Sequence, residues 1–186
     1  VQQAEAAGKT LMIVGLGTIG MMALAVARNL GVTRLIAVST DDTKLRMAKE
    51  LGADYGINSK RQDVLAEVQN MTDGHGVDRV LEMTGVVRFL NLGIDALAPA
   101  GRLVCVGNYN EDVVIPNYSY RVMNKELTIT GIFGRRMFET WELAKELVAS
   151  GKVDLRRFVG AVMPLEEFER GVQMAPRTFG RIVYSP

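Results

Sequence analysis

The stretch LMIVGLGTIG, residues 11–20, joins a short apolar run directly to the glycine pattern G-x-G-x-x-G. The apolar run predicts a strand, Leu11–Gly15, that is buried on both faces, as strands of parallel sheets are. In a strand-to-helix turn of this kind, the first glycine permits a tight bend and the third lets helix and strand pack closely. The second, Gly17, lets the main chain approach a phosphate group. The pattern therefore predicts an anion-binding turn at the start of the first helix.

Apolar runs of strand length alternate with helical periodicity along most of the chain, which is typical of βαβ units and a parallel sheet. We predict an α/β fold with a doubly wound, six-stranded parallel sheet in the order 3-2-1-4-5-6, the Rossmann arrangement, followed by a C-terminal extension. The further predicted strands are Arg34–Ser39, Asp54–Asn58, Val77–Met83, Gly101–Gly107 and Leu127–Phe133. The alternation stops after Gly151, which places the predicted sheet domain at residues 1–152 and the extension at 153–186.

Helical periodicity also predicts which side chains each helix buries. In the first helix the predicted buried side chains are Ile19, Met22, Ala23, Val26 and Leu30. In the last regular helix, about Phe138 to Ser150, they are Trp141, Ala144, Leu147 and Val148. Asp41 or Asp42 is predicted to cap the second helix, and Ser59 with Gln62 is predicted to form a capping box for the third.

The composition excludes several classes of function. Lys and Arg number 22 against 21 Asp and Glu, so the chain has no net positive field with which to hold a nucleic acid. The single cysteine, Cys105, is predicted to be an inert core residue, and with the single histidine it leaves too few ligands for a zinc site. No catalytic or metal-binding residue is therefore predicted. No apolar run approaches the roughly 20 residues of a membrane span, and we expect a cytoplasmic protein.

In open α/β sheets, ligands bind beyond the carboxyl ends of the strands, where the strand order reverses. This rule and the glycine turn select a set of predicted cofactor-binding residues, and the end of the second strand adds Ser39, Thr40 and Lys44. The residues that follow the fourth, fifth and sixth strands are equally compatible with a turn or core role. The set is Gly15, Gly17, Thr18, Gly20, Ser39, Thr40, Lys44, Thr84, Gly85, Val106, Gly107, Asn108, Ile132 and Phe133. Arg135 and Arg136 follow the sixth strand and are compatible with pairing to a pyrophosphate, with solvent exposure or with a subunit contact.

The end of the second strand bears on the choice of cofactor. An Asp or Glu at that position accepts the ribose hydroxyls of NAD, whereas this chain has Ser39. A serine removes the charge that repels a 2′-phosphate, and Thr40 and Lys44 are placed to donate to one. Asp41 and Asp42 would repel it, so the two signals conflict. The prediction is a nicotinamide dinucleotide, NAD, with NADP left open.

Four motifs resemble the zinc-dependent medium-chain dehydrogenase/reductases, the alcohol dehydrogenase family. They are GLGTIG, Glu82-Met-Thr-Gly85, GRLVCVG at residues 101–107 and Pro164-Leu-Glu-Glu-Phe168. The resemblance covers essentially the whole chain, and residues 131–141 are similar to the L-threonine 3-dehydrogenase branch. It implies cofactor contacts at Ile19, Ser39, Lys44, Val106 to Asn108, Ile132 and Phe133. Ser39 departs from the acidic residue that is usual in that branch.

The resemblance also implies that cofactor binding and the catalytic zinc belong to separate domains. The family's catalytic zinc and its ligands lie in an N-terminal domain, so we expect this chain to be a fragment that binds cofactor and is inactive alone. The expected reaction is hydride transfer from a small secondary alcohol to nicotinamide, with L-threonine first and a polyol or sugar second. An NAD(P)-sensing module is the non-enzymatic alternative, and the glycine spacing disfavours a methyltransferase. The edge of the sixth strand is expected to join subunits into a homo-oligomer.

Overall fold

The computed structural model describes residues 1–134, 136–175 and 178–186. Six parallel strands form one sheet in the order β3-β2-β1-β4-β5-β6, which confirms the predicted Rossmann arrangement. Because β1 pairs with both β2 and β4, the strand order reverses between β1 and β4. The strands are β1 (Thr10–Val14), β2 (Arg34–Ser39), β3 (Tyr55–Asn58), β4 (Val77–Glu82), β5 (Leu97–Cys105) and β6 (Thr128–Gly131).

The helices lie on both faces of this sheet and create two hydrophobic cores. They are α1 (Thr18–Asn29), α2 (Asp42–Glu50), α3 (Val64–Met71), α4 (Val87–Ala96) and α5 (Glu139–Ala149). Leu11 and Ile13 of β1 belong to the core that includes α1, α2 and α5, whereas Met12 and Val14 belong to the core with α3 and α4. Successive side chains of a strand point to opposite faces, so a strand between two cores must be apolar at every position.

The first helix is rotated relative to its predicted face. α1 buries Met21 and Leu24 most fully, whereas Ile19 is 56% exposed, so the predicted stripe was wrong at Ile19 and confirmed only in part at Met22, Ala23 and Val26, which pack against the core. A Cβ atom at Gly20 would clash with the main-chain oxygen of Gly15, so this side of the helix lies against the end of β1. That backbone contact fixes the rotation, and the spacing of the apolar residues does not reveal it. The rest of the predicted stripe, Met22, Ala23, Val26 and Leu30, is only partly buried.

The helix caps were predicted in part. Asp41 caps α2, as one of the two predicted alternatives. The predicted capping box of Ser59 and Gln62 was wrong, because Asp63 caps α3 through hydrogen bonds from two amides of its first turn. Gln62 instead accepts a hydrogen bond from the main-chain amide of Asn58, which closes the turn after β3. An aspartate four residues nearer the helix therefore replaced Ser59, the predicted cap.

The last strand of the sheet and the helix that follows it are less embedded than predicted. β6 ends at Gly131, so Ile132 and Phe133 lie beyond the sheet. In α5, Leu147 is buried but Trp141 and Val148 are 48% and 41% exposed. The remaining predicted core residue of this helix, Ala144, is exposed as well. α5 therefore buries a narrower stripe than predicted, with Leu147 buried in the core it shares with α1 and Leu143 packed against that core.

The C-terminal extension forms a second sheet of two parallel strands, β7 (Val159–Pro164) and β8 (Arg181–Ser185), with α6 (Phe168–Met174) between them. Phe158 precedes β7, is 1% exposed and lies in the same core as α1, so the extension is anchored to the main body. The division between residues 152 and 153 remains a prediction. Within the described ranges, no helix is both long enough and apolar enough to cross a bilayer.

Candidate functional site

A cleft of about 220 Å³ opens at the carboxyl ends of β1, β2 and β4, where the strand order reverses. We call it the switch-point cleft. Such a position is where doubly wound folds bind their ligands. The cleft brings together six of the predicted cofactor-binding residues, namely Gly15, Gly17, Ser39, Thr40, Lys44 and Thr84.

The three glycines of the turn meet different surroundings. Gly15 has a φ of +99°, which only glycine adopts readily, and a Cβ atom there would touch the Thr84 side chain. Gly20 packs against the main chain of Gly15, as described above. Gly17 has an extended backbone, with φ −74° and ψ −177°, and a Cβ atom there would meet nothing within 4 Å. The outer two glycines are therefore required by the chain itself, whereas the middle one faces open space in the cleft.

The start of α1 is suited to an anion. Gly17 is its N-cap, has no side chain with which to cap the helix, and is followed by a first turn without acidic residues. The first amides of a helix have no partner within the helix, and they carry the positive end of its dipole. An anion next to Gly17 would therefore receive main-chain hydrogen bonds that no carboxylate of this turn contests.

A buried carboxylate organises the loops on the other side of the cleft. Glu82, at the end of β4, is 0% exposed and accepts hydrogen bonds from the amides of Thr84 at 2.7 Å and Gly85 at 3.0 Å. The Thr84 hydroxyl donates to it as well, and the Tyr109 hydroxyl donates at 2.6 Å. Hydrogen bonds to a charged acceptor are among the strong ones in a protein. Glu82 therefore ties the loop after β4 to the loop after β5, and we call this group of four residues the Glu82 cluster.

Glu82 is part of the sequence motif Glu82-Met-Thr-Gly85, but the motif by itself does not indicate this role. A signal was present, because an acidic residue follows the apolar pair Val80–Leu81 near the end of a predicted strand of the parallel sheet. Buried carboxylates occur only with partners. The partner Tyr109 lies 27 residues further along the chain, so nothing in the sequence identified it.

Two of the predicted cofactor-binding glycines have a packing role. A Cβ atom at Gly85 would clash with the main-chain oxygen of Asn108, and one at Gly107 would clash with the amide nitrogen of Gly85. The two loops therefore touch main chain to main chain, which explains both glycines without a ligand. Their neighbours differ in exposure, since Val106 is half-buried and Asn108 is exposed. Contact of these residues with a cofactor stays a prediction.

The residues after β6 do not line the switch-point cleft. The amide of Ile132 donates to the carbonyl of Cys105, and Phe133 is 97% exposed. Arg136 forms a 3.7 Å ion pair with Glu139, while Arg135 lies outside the described residues. The structure therefore leaves this part of the predicted set apart from the glycine turn.

The side chains predicted to determine whether NAD or NADP binds lie at and just after the end of β2. Ser39 is 8% exposed, and its hydroxyl accepts a hydrogen bond from the amide of Asp41 at 3.2 Å. Thr40 is exposed and Lys44 is half-buried beside it. The parallel pairing of Ser39 with Asn58 also brings the turn after β3, with Lys60 and Arg61, to the same place. Lys60 and Arg61 were not among the predicted site residues, because the sequence does not show that the turn after β3 reaches the end of β2.

Cys105 and Tyr109 lie beside Glu82. The pKa of the Cys105 thiol is raised, mainly by burial. A hydrogen bond with Tyr109 opposes this shift, and the charge of Glu82 adds to it. Burial, followed by the hydrogen bond to Glu82, also raises the pKa of the Tyr109 hydroxyl. Both side chains are therefore protonated at neutral pH. Among the residues that the structure describes, no three His, Cys, Asp or Glu side chains are grouped so that they could hold a metal ion.

Known proteins resemble this chain in sequence and in structure. The family model described as zinc-binding dehydrogenase matches residues 18–150. L-threonine 3-dehydrogenase from Bacillus subtilis is 35% identical, over 100% of this chain and 54% of its own length. The enzyme of the same name from Pyrococcus horikoshii is 40% identical, over 80% and 42%. The alcohol dehydrogenase from Thermus sp. ATN1 has a TM-score of 0.85 at 30% identity, covering 95% of this chain and 50% of that chain.

A Rossmann sheet with a G-x-G-x-x-G turn at the reversal of strand order defines a domain that binds a nucleotide cofactor. The chain belongs to the zinc-binding dehydrogenase family, as the cofactor-binding domain of a medium-chain dehydrogenase. It spans about half the length of the curated relatives it matches.

Proposed function

We propose that the chain binds a nicotinamide dinucleotide in the switch-point cleft, with the pyrophosphate on the amides at the start of α1. The observation that carries this proposal is the open space at Gly17. Neither backbone conformation nor packing requires a glycine there, since an alanine fits φ −74° and ψ −177° without a contact. A ligand that approaches the main chain closely does require one.

The rest of the cleft fits the same ligand. Ser39, Thr40 and Lys44 lie at the adenosine end, and Thr84 faces Gly15 across the cleft. The Glu82 cluster holds the loops after β4 and β5 in place, so that the groups of these loops need no rearrangement to meet a cofactor. When bound, nicotinamide supplies a hydride acceptor, while the chain supplies binding and orientation. We extend the proposed contact set to Ile19, Val106, Asn108, Ile132 and Phe133.

For the whole protein we propose oxidation of a small secondary alcohol, with L-threonine as the first substrate to test. The support is the name shared by the relatives from Bacillus subtilis and Pyrococcus horikoshii. A polyol is the second choice, since the 2R,3R-butanediol dehydrogenase of Bacillus subtilis resembles this chain with a TM-score of 0.87 at 27% identity. We place the zinc and the substrate site in a part of the enzyme outside these 186 residues, and we expect a cytoplasmic enzyme.

A self-associating edge is also proposed. β6 is the last strand of its sheet, and the exposed Phe133, Met137 and Phe138 follow it. An unpaired edge beside apolar side chains favours pairing with a second copy of the chain. Sedimentation equilibrium should give a dimer mass, and a monomer mass at all concentrations would contradict this part of the proposal.

The test compares three glycine substitutions by calorimetric titration with NADH and NADPH and by thermal unfolding. Gly17→Ala should leave the unfolding temperature nearly unchanged and lower the affinity for both cofactors about a hundredfold, because the methyl group occupies the place of the pyrophosphate. Gly131→Ala is the matched control for the added methyl group, since a Cβ atom there also meets nothing within 4 Å and it does not line the cleft. Because Gly131 lies in the β6 edge, the mass of this variant by sedimentation equilibrium is compared with that of the unchanged chain. Gly20→Ala should instead lower stability. Equal affinities of the Gly17→Ala and Gly131→Ala variants would overturn the proposal.

A further inference from the structure

A second cavity, of about 660 Å³, adjoins the adenosine end of the switch-point cleft and shares Thr40 and Lys44 with it. It lies between the start of α2 and the turn after β3. We call it the cationic pocket, because four cations and two carboxylates line it. The cations are Lys44, Arg46, Lys60 and Arg61, and the carboxylates are Asp41 and Asp42.

Both carboxylates are engaged by the protein. Asp41 accepts hydrogen bonds from the amides of Thr43 at 2.8 Å and Lys44 at 3.4 Å, as the cap of α2. Asp42 accepts a hydrogen bond from the Asn58 amide group at 2.5 Å and pairs with Arg61 at 2.7 Å. The sequence had suggested that these two aspartates repel a phosphate. Their engagement with cations and N–H donors reduces that repulsion.

The cations are less engaged. In the described part of the chain, the ammonium groups of Lys44 and Lys60 have neither a hydrogen bond nor an ion pair. Arg61 keeps 73% of its side chain exposed although it pairs with Asp42. Within residues 1–134, 136–175 and 178–186, the one hydrogen bond of the Arg46 side chain is to the hydroxyl of Thr43. The pocket therefore presents a net positive charge toward solvent at the place where β2 ends.

The position of this positive charge indicates which group of a bound cofactor it would contact. In a Rossmann domain the end of β2 faces the adenosine ribose, and an acidic residue there selects a free 2′-hydroxyl. Ser39 stands at that position, and its hydroxyl faces the main chain of Asp41. β2 therefore contributes no carboxylate that would repel a 2′-phosphate. The cations of the turn after β3 lie around the position that this phosphate would occupy.

We propose that the cationic pocket binds the 2′-phosphate of NADP(H), with Lys60 and Arg61 as its principal ligands and Lys44 at its entrance. The inference rests on the proposed function, since it concerns the adenosine end of the same cofactor. The chain then prefers NADPH to NADH, in contrast to a domain with an acidic residue at the end of β2. Ammonium and guanidinium groups both bind phosphate, and the guanidinium adds a planar pair of donors.

Calorimetric titration of the chain with NADPH, NADH, 2′,5′-ADP and 5′-AMP tests this preference. We expect NADPH to bind at least about tenfold more tightly than NADH, and 2′,5′-ADP more tightly than 5′-AMP by a similar factor. Rising salt should narrow both differences, because the added phosphate interacts through charge. NADH binding as tight as NADPH binding would overturn the inference and leave the proposed function intact. Binding of neither cofactor would overturn both.

Charge substitutions locate the phosphate. Lys60→Ala should lower the ratio of NADPH to NADH affinity about five- to tenfold, and Ser39→Asp should reverse the preference. Lys49→Ala is the matched control, since Lys49 is an exposed lysine at the far end of α2. Arg61→Lys keeps the charge beside Asp42 and should give a smaller fall than Lys60→Ala. An equal ratio in the Lys60→Ala and Lys49→Ala variants would show that the pocket does not hold the phosphate.

Discussion

Two groups of charged side chains flank the cleft, and they differ in burial and in partners. The Glu82 carboxylate is fully buried and receives four hydrogen bonds from Thr84, Gly85 and Tyr109. The cationic pocket is open, and the ammonium groups of Lys44 and Lys60 have no partner within the described ranges. A buried charge is stable only when its hydrogen bonds are satisfied, whereas a solvated charge needs no protein partner and remains available to bind a ligand. The buried Glu82 carboxylate therefore positions loops at one end of the cleft, whereas the exposed cations at the other end are available for binding.

The largest effect should come from the buried end. Replacing Glu82 with leucine leaves the Tyr109 hydroxyl and two amides without an acceptor in a closed space, so Glu82→Leu should lower the free energy of unfolding by about 3 kcal/mol. Urea unfolding followed by circular dichroism measures this loss. Glu111→Leu, at an exposed glutamate of the loop after β5, should change it little. Similar losses in the two variants would mean that the Glu82 cluster does not hold the loops.

A smaller effect tests the two roles of Asp41, which caps α2 and places a negative charge in the cationic pocket. Asp41→Ala removes the cap of α2 and should cost about 1 kcal/mol of stability, yet raise the NADPH to NADH affinity ratio by removing a negative charge. Asp63→Ala removes the equivalent cap of α3 and should cost the same without changing that ratio. Thermal unfolding and calorimetric titration of both variants provide the comparison. A fall in the ratio for Asp41→Ala alone would count against the phosphate pocket.

The smallest effect is a change in reactivity beside Glu82. Because burial raises the pKa of Cys105, the thiolate fraction at pH 8 is smaller than that of an ordinary cysteine. Folded protein should therefore react with iodoacetamide more slowly than urea-unfolded protein, and its rate should still be rising with pH above 9. Mass spectrometry of the single cysteine measures both rates. Equal rates at pH 8 would contradict the raised pKa.

The sheet order and the glycine turn were predictable because both follow from short-range patterns. β1 reads as an uninterrupted apolar run, and the spacing of Gly15, Gly17 and Gly20 places the turn at its end. The buried face of α1 was not predictable, since the contact of Gly20 with the main chain rotated the helix. Strand ends depend on neighbouring strands, and β6 is shorter than the predicted strand Leu127–Phe133.

By itself, the sequence determined the Rossmann sheet and the glycine turn, because strand and helix periods and three spaced glycines are local properties, and its motifs indicated the family. Only the tertiary structure decided what surrounds that turn. Parallel pairing of β2 with β3 brought Lys60 and Arg61 beside Ser39, and Tyr109 reached Glu82 across two loops. Both arrangements join residues about twenty or more positions apart. The predicted strand order already placed β3 beside β2, but which side chains meet beyond the strand ends depends on the paths of the loops in space.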